Sequence, residues 1–235
     1  MYIPYFVYME LLIILIIIII TQIILKIVLK TNKKEIMKIA ENESLNARTQ
    51  ELPNNVVICK EILKKLNNEK VKVEEEEKTN CFYFIATDKI ILNKDKKFFT
   101  RIQTIAHECV HSIQNKNVLW FNYIFTNLLN LFWLVITILT VVGVIKNYIL
   151  FVSIMLILAM VFYVIRSYLE IEAMTKAKYI AKEYLEEHNV KETKKITEEY
   201  EKINNIGIKY TCYKLISSKL YLIILYIIIC LIKLL

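Results

Sequence analysis

Glycine and proline are almost missing from this chain, with two of each in 235 residues. Soluble domains of this size carry several times as many. Turns are therefore scarce and helices dominate. Histidine is nearly as rare, at three residues, so two histidines close together carry weight. The five cysteines, at positions 59, 81, 109, 212 and 230, form no CxxC pair and no regular spacing. That excludes a disulfide framework and a thiolate cage, and leaves reduced packing residues. No Lys or Arg precedes Lys26 and no Ala-x-Ala site is present, so the first apolar run reads as an uncleaved anchor rather than a signal peptide. The net charge is +8, yet no basic stripe is interleaved with aromatics. Nucleic acid is thus excluded as the partner.

What is present is apolar length. The chain is 56% hydrophobic, concentrated in runs near the 20 or so residues needed to cross a bilayer. The runs occupy residues 3–25, 118–145, 148–165 and 215–235. Only Lys146 and Asn147 separate the second from the third, which predicts a tight hairpin. Two polar segments, 26–117 and 166–214, lie between the runs. All Lys and Arg except Lys146 and Lys233 fall within 26–116 and 166–219. The positive-inside rule then puts both polar segments in the cytoplasm and the hairpin and both termini outside. The predicted fold is mainly α: a multi-pass protein of the cell membrane, partnered by the lipid bilayer, with about four transmembrane helices and a small cytoplasmic α+β region.

Within 26–117, "NNVVICKEILKKLNN" has helical spacing, with Val57, Ile58, Ile62, Leu63 and Leu66 on one side. "VKVEEEE" alternates like a strand, and "CFYFIATDKIILN" reads as two short strands about a turn at Thr87-Asp88. Residues 98–116 then read as an amphipathic helix, with Phe98, Ile102, Ile105, Cys109 and Ile113 at spacings of three and four.

That helix carries "HECVH". His107 and His111, four apart, point the same way one turn apart. Two imidazoles so placed can bind one metal, while Glu108, one step round, can reach a metal-bound water. A catalytic zinc needs a third protein ligand. Position 117, where a local third histidine would fall, is Asn117. The remaining candidates are Glu170, Glu172 and His188. Glu170 opens a stripe with Ala173, Ala177, Ala181 and Tyr184, and alanines let helices approach closely. Glu172 lies about 200° round the helix from Glu170, and His188 about 27 Å further along it.

"TIAHECVHSIQ" resembles the signature, typically HExGHAIQ, of a neutral zinc metallopeptidase family of bacterial membrane proteins. "LEIEAMTKA" is similar to that family's later element, typically VEFDASRRA. A more distant likeness is to the heat-shock and prenyl-protein membrane gluzincins, whose third ligand opens an ExxAD motif. The order of anchor, lead-in, zinc helix, hairpin, second element and terminal span also fits, so the resemblance covers most of the chain on two specific motifs. It implies Zn2+ held by His107, His111 and Glu170, with Glu108 as general base. Three positions depart from the pattern. Val110 stands for Gly, Glu172 for Asp, and Met174-Thr175 for Ser-Arg.

The expected function is an integral-membrane zinc endopeptidase with its site at the cytoplasmic face. Its substrates would be peptide segments or membrane proteins near the bilayer. The rival expectation is a non-enzymatic four-span scaffold or regulatory protein with a degenerate zinc site. An intramembrane site-2-type protease fits less well, because polar "RIQT" and "SIQNK" flank the motif. A transporter is disfavoured by the lack of internal repeats and of Gly/Pro-broken spans.

Overall fold

The computed structural model describes residues 2–29, 32–77 and 80–235. It is mainly helical, with eight α-helices, one short 3-10 turn and a small sheet among those residues. In chain order they are α1 (Tyr2–Val28), α2 (Lys33–Ala40), α3 (Glu43–Thr49), α4 (Asn55–Lys65), β1 (Lys72–Glu76), β2 (Phe82–Phe84), β3 (Lys89–Asn93), α5 (Arg101–Ile113), α6 (Lys116–Val141), α7 (Tyr148–Glu187) and α8 (Thr193–Leu234). Four of them, α1, α6, α7 and α8, are long and apolar enough to cross a membrane.

Asparagine does the work that a glycine-poor chain cannot give to glycine. Three helices end in a left-handed residue: Asn67 after α4 (φ 53°), Gly143 after α6 (φ 82°) and Asn189 after α7 (φ 49°). At each end the next N–H reaches back to satisfy a terminal carbonyl: Asn68 to Leu63, Val144 to Leu139 and Val190 to Leu185. This is the Schellman arrangement, and asparagine is the commonest substitute for glycine there. Asparagine also caps helix starts. Asn42 accepts from the Leu45 N–H, Asn54 from Val57, and Asn115 from Asn117 and Val118.

These caps explain where the elements depart from the sequence expectation. The motif helix is Arg101–Ile113 rather than 98–116, because Asn115 starts a new helix. The second apolar run is helical only to Val141, because Gly143 stops it before 145. The third and fourth runs do not stand alone. α7 and α8 continue without a break through the charged residues beside them. No glycine or proline lies in α7, so nothing interrupts it. Helices α2 and α3 went unanticipated, and Val57 and Ile113 are exposed rather than buried.

The chain forms two compact units. One comprises the described residues of Met1–Thr31 together with Phe121–Ser167 and Lys209–Leu235. Its core includes Leu11, Ile136, Val152, Met155, Ala159, Ile223, Tyr226 and Ile227. Lys219 is buried there, donating to Asn130 Oδ1 (2.9 Å) and lying 4.5 Å from the Phe162 ring centroid.

The other unit comprises Asn32–Trp120 and Tyr168–Ile208. Its sheet has the order β1-β3-β2, with β3 parallel to β1 and antiparallel to β2. β2 is thus an edge strand. The core gathers Ile58, Cys59, Ile62 and Leu63 of α4 and Ile90 and Leu92 of β3. Ile102, Ile105, Ala106 and Cys109 of α5 join them, with Ala177, Ala181 and Tyr184 of α7.

Arg101 anchors the start of α5. Its guanidinium is buried and donates to the carbonyls of Thr49, Leu52 and Pro53 and to Asn55 Oδ1. Asn55 in turn donates to the carbonyls of Asn93 and Asp95. One side chain therefore ties α5 to the α3–α4 connection and, through Asn55, to the end of β3. Replacing Arg101 by Met leaves these acceptors unpaired. We expect Arg101→Met to lower the unfolding free energy by about 2–3 kcal/mol, read as a shifted denaturant midpoint for the detergent-solubilised chain. An unchanged midpoint would refute the anchoring role.

Candidate metal centre

Helix α5 is amphipathic in an unusual sense, because both of its sides are covered. Ile102, Ile105, Ala106 and Cys109 enter the core. The polar residues Gln103, Glu108, His111 and Ser112 are buried as well. Each must therefore find a partner inside the protein. Gln103 donates to the Tyr200 carbonyl (3.4 Å). Ser112 donates to the Cys109 carbonyl (2.6 Å) and accepts from Asn68 (2.9 Å). Cys59 and Cys109 meet at 3.5 Å, and burial pushes the Cys109 thiol up.

The two histidines face α7. Its stripe of Ala173, Ala177, Ala181 and Tyr184 is fully buried, as the small side chains allow. One turn before that stripe stands Glu170, whose side chain is 13% exposed. The Nε2 atoms of His107 and His111 lie 3.0 Å apart. His107 Nε2 is 3.4 Å from Glu170 Oε2, and His111 Nε2 is 3.7 Å from Glu170 Oε1. These three residues each offer one donor atom within 4.8 Å of the others, and together they could hold a metal ion.

The other two candidates for a third ligand are placed elsewhere. Glu172 accepts from Lys176 (2.6 Å) and from Gln114 (2.9 Å). The Lys176 bond first, then the Gln114 bond, hold its carboxyl below the usual range. His188 donates from Nδ1 to the Tyr184 carbonyl (2.9 Å), stacks on the Tyr184 ring and lies 3.7 Å from Glu61.

Glu108, next to the first histidine, is 7% exposed. Its Oε2 accepts from the backbone N–H of Tyr83 at 2.7 Å, so the edge strand β2 holds this carboxylate. Tyr83 is itself fastened. Its hydroxyl donates to Asp88 (2.5 Å), and Lys116 donates to both the Tyr83 hydroxyl (2.7 Å) and Asp88 (2.9 Å). Burial raises the Tyr83 phenol, and Asp88 adds to the effect. For Asp88, burial alone would raise the carboxyl. The hydrogen bonds from Tyr83 and Lys116 outweigh it and hold the group low.

Sequence reasoning missed Gln114 and the trio of Tyr83, Asp88 and Lys116. Gln114 is buried, with its oxygen 2.7 Å from His111 Nδ1 and its nitrogen 2.8 Å from the Leu169 carbonyl. The signal for it was its place in "HSIQ", one turn beyond His111. Val110 is fully buried within an unbroken α5, so the helix accommodates a side chain where the resembling motif has glycine. No family model, curated protein or solved structure matches this chain.

The metal site is testable without knowing the function. After dialysis against a divalent metal, the purified chain is expected to retain about one ion per molecule. His107→Ala or Glu170→Ala should abolish retention, whereas His188→Ala should leave it intact. Equal retention by wild type and Glu170→Ala would sink the assignment.

Proposed function

We propose that this chain is an integral-membrane zinc metallopeptidase. The observation that carries the reading is the triangle formed by His107 Nε2, His111 Nε2 and the Glu170 carboxylate, with sides of 3.0, 3.4 and 3.7 Å. Ligands about 2.0–2.1 Å from a tetrahedral zinc stand about 3.3 Å from one another. The donor set of two imidazoles and one carboxylate is also that of catalytic zinc, which leaves a fourth position open. Likeness of "HECVH" and "LEIEA" to the neutral zinc metallopeptidase signatures supports the same reading.

When bound, zinc supplies Lewis acidity toward a water and toward a peptide carbonyl. The rest falls to the chain's own residues. His107, His111 and Glu170 hold the ion. Glu108 takes the proton from the attacking water and passes it to the leaving amine. Its Oε2 accepts from the Tyr83 N–H, which fixes the orientation of the carboxylate. The Asp88–Tyr83–Lys116 cluster keeps β2, and hence that carboxylate, in place.

The membrane setting rests on the four candidate spans and on what covers them. Ile13, Ile16, Ile17, Ile20, Ile23 and Ile24 of α1 are all exposed on the protein. Apolar surface on that scale calls for lipid or a partner. Basic residues flanking the spans support a site on the cytoplasmic side, by the positive-inside rule. The substrates are then peptide segments of membrane or cytosolic proteins near the bilayer.

The test is Glu108→Gln in the purified, detergent-solubilised chain. It should keep the metal and lose peptide hydrolysis by at least about a hundredfold. Hydrolysis retained by that variant would overturn the mechanism. A wild type that binds metal but cleaves no membrane-protein substrate would favour a scaffold.

A further inference from the structure

We infer that Gln114 and Glu172 are positioning residues of the metal centre, forming a neutral amide bridge that fixes the His111 tautomer and fastens the two ligand-bearing helices together. The inference rests on the metal-site reading and deepens it.

The hydrogen positions follow from chemistry alone. Gln114 Nε2 lies 2.8 Å from the Leu169 carbonyl and 2.9 Å from Glu172 Oε2. Both atoms are acceptors, so the atom facing them must be the amide nitrogen, which has two N–H groups to give. The amide oxygen is thereby turned to His111 Nδ1, 2.7 Å away. An oxygen there can only accept, so Nδ1 carries the hydrogen. A neutral imidazole protonated at Nδ1 has its lone pair on Nε2. That is the atom facing His107 and Glu170. The ligating nitrogen is therefore set by residues that never touch the metal.

The same amide also sets a distance. Gln114 is the C-cap of α5, while Leu169 and Glu172 flank Glu170 on α7. Both hydrogen bonds from its nitrogen thus hold the turn of α7 that presents Glu170. The His111 side of the bridge is withdrawn from solvent, with Gln114 at 5%, His111 at 6% and Leu169 at 1% exposure, so water cannot readily replace a lost partner there, while Glu172 is partly exposed. Glu172 does not ligate. It anchors the amide and is itself anchored by Lys176 at 2.6 Å.

Exchanging the two partners' chemistry tests the bridge. Zinc affinity is read on the full-length chain in detergent by competition with a chromogenic chelator. Gln114→Leu removes both halves of the bridge and should weaken zinc binding about 10–100-fold. Gln114→Glu keeps an acceptor for His111 but sets a carboxylate against Glu172 and the Leu169 carbonyl. Adding Glu172→Gln to that variant returns a donor to the contact. The double variant should bind zinc about tenfold more tightly than Gln114→Glu alone. A merely structural role would not produce that rescue. Nitrogen-15 spectra of the histidines in the metal-free chain should show His111 with a protonated Nδ1 and an unprotonated Nε2, and Gln114→Leu should blur that preference. A double variant no tighter than Gln114→Glu, or a wild-type His111 protonated at Nε2, overturns the inference. A wild type that binds no zinc overturns the metal reading instead, and the nitrogen spectra still decide the bridge.

Discussion

Burial of one polar helix is the constraint around which this unit is arranged. Helix α5 hides Arg101, Gln103, Glu108, His111 and Ser112, with Gln114 at its cap. An unpaired buried polar group costs about 1–3 kcal/mol, so each neighbour must meet one of them. The α3–α4 connection meets Arg101 with carbonyls, and α8 meets Gln103 through the Tyr200 carbonyl. β2 meets Glu108 with a backbone N–H, and the residues after α4 meet Ser112 through Asn68. α7 meets His111 through Gln114. A slipped register in any of these elements would strand a polar group. The motif helix is thus held by hydrogen bonds of fixed direction as well as by apolar packing, which is non-directional. Ligands and a general base need that kind of positioning.

Helix α7 supplies the complementary half. The alanines at 173, 177 and 181 are wholly buried, and their small side chains let the helix come close enough for Glu170 to approach both histidines. Gly207 on α8 leaves room for a side chain from α7. A Cβ built there would lie 2.6 Å from Met174 Cε, one turn beyond Glu170. Of the two glycines, Gly143 serves a left-handed helix end and Gly207 seats the tip of Met174.

The parts legible in the sequence are those where chemistry has a short period. The i, i+4 pair of His107 and His111 needed only helical geometry. Angular position said only that Glu170 and Glu172 could not share one metal; the alanine stripe and the resemblance favoured Glu170, and the structure brings Glu170 beside the histidines. The alternating strands were visible in the same way. Partners were not, because the amide of Gln114 gains its role from Leu169 and Glu172, more than fifty residues away. Helix ends were misjudged where hydropathy was followed instead of caps: Asn115 and Gly143 carry the boundaries, yet an apolar run passes over the second without a dip. The continuity of α7 into its charged half is likewise invisible to hydropathy, since polarity changes there while helix propensity does not.

Charge gives a reason for an amide, rather than a carboxylate, behind His111. Glu108 and Glu170 are both largely buried, and a divalent cation between them would balance their two charges. A carboxylate at 114 would add a third negative charge within hydrogen-bond reach of His111, where burial makes uncompensated charge expensive. Glu172 is further out and has its own counter-ion in Lys176. Gln114 lets the orientation of Glu172 reach the imidazole without its charge. On the proposed reading the centre therefore stays near neutral when loaded.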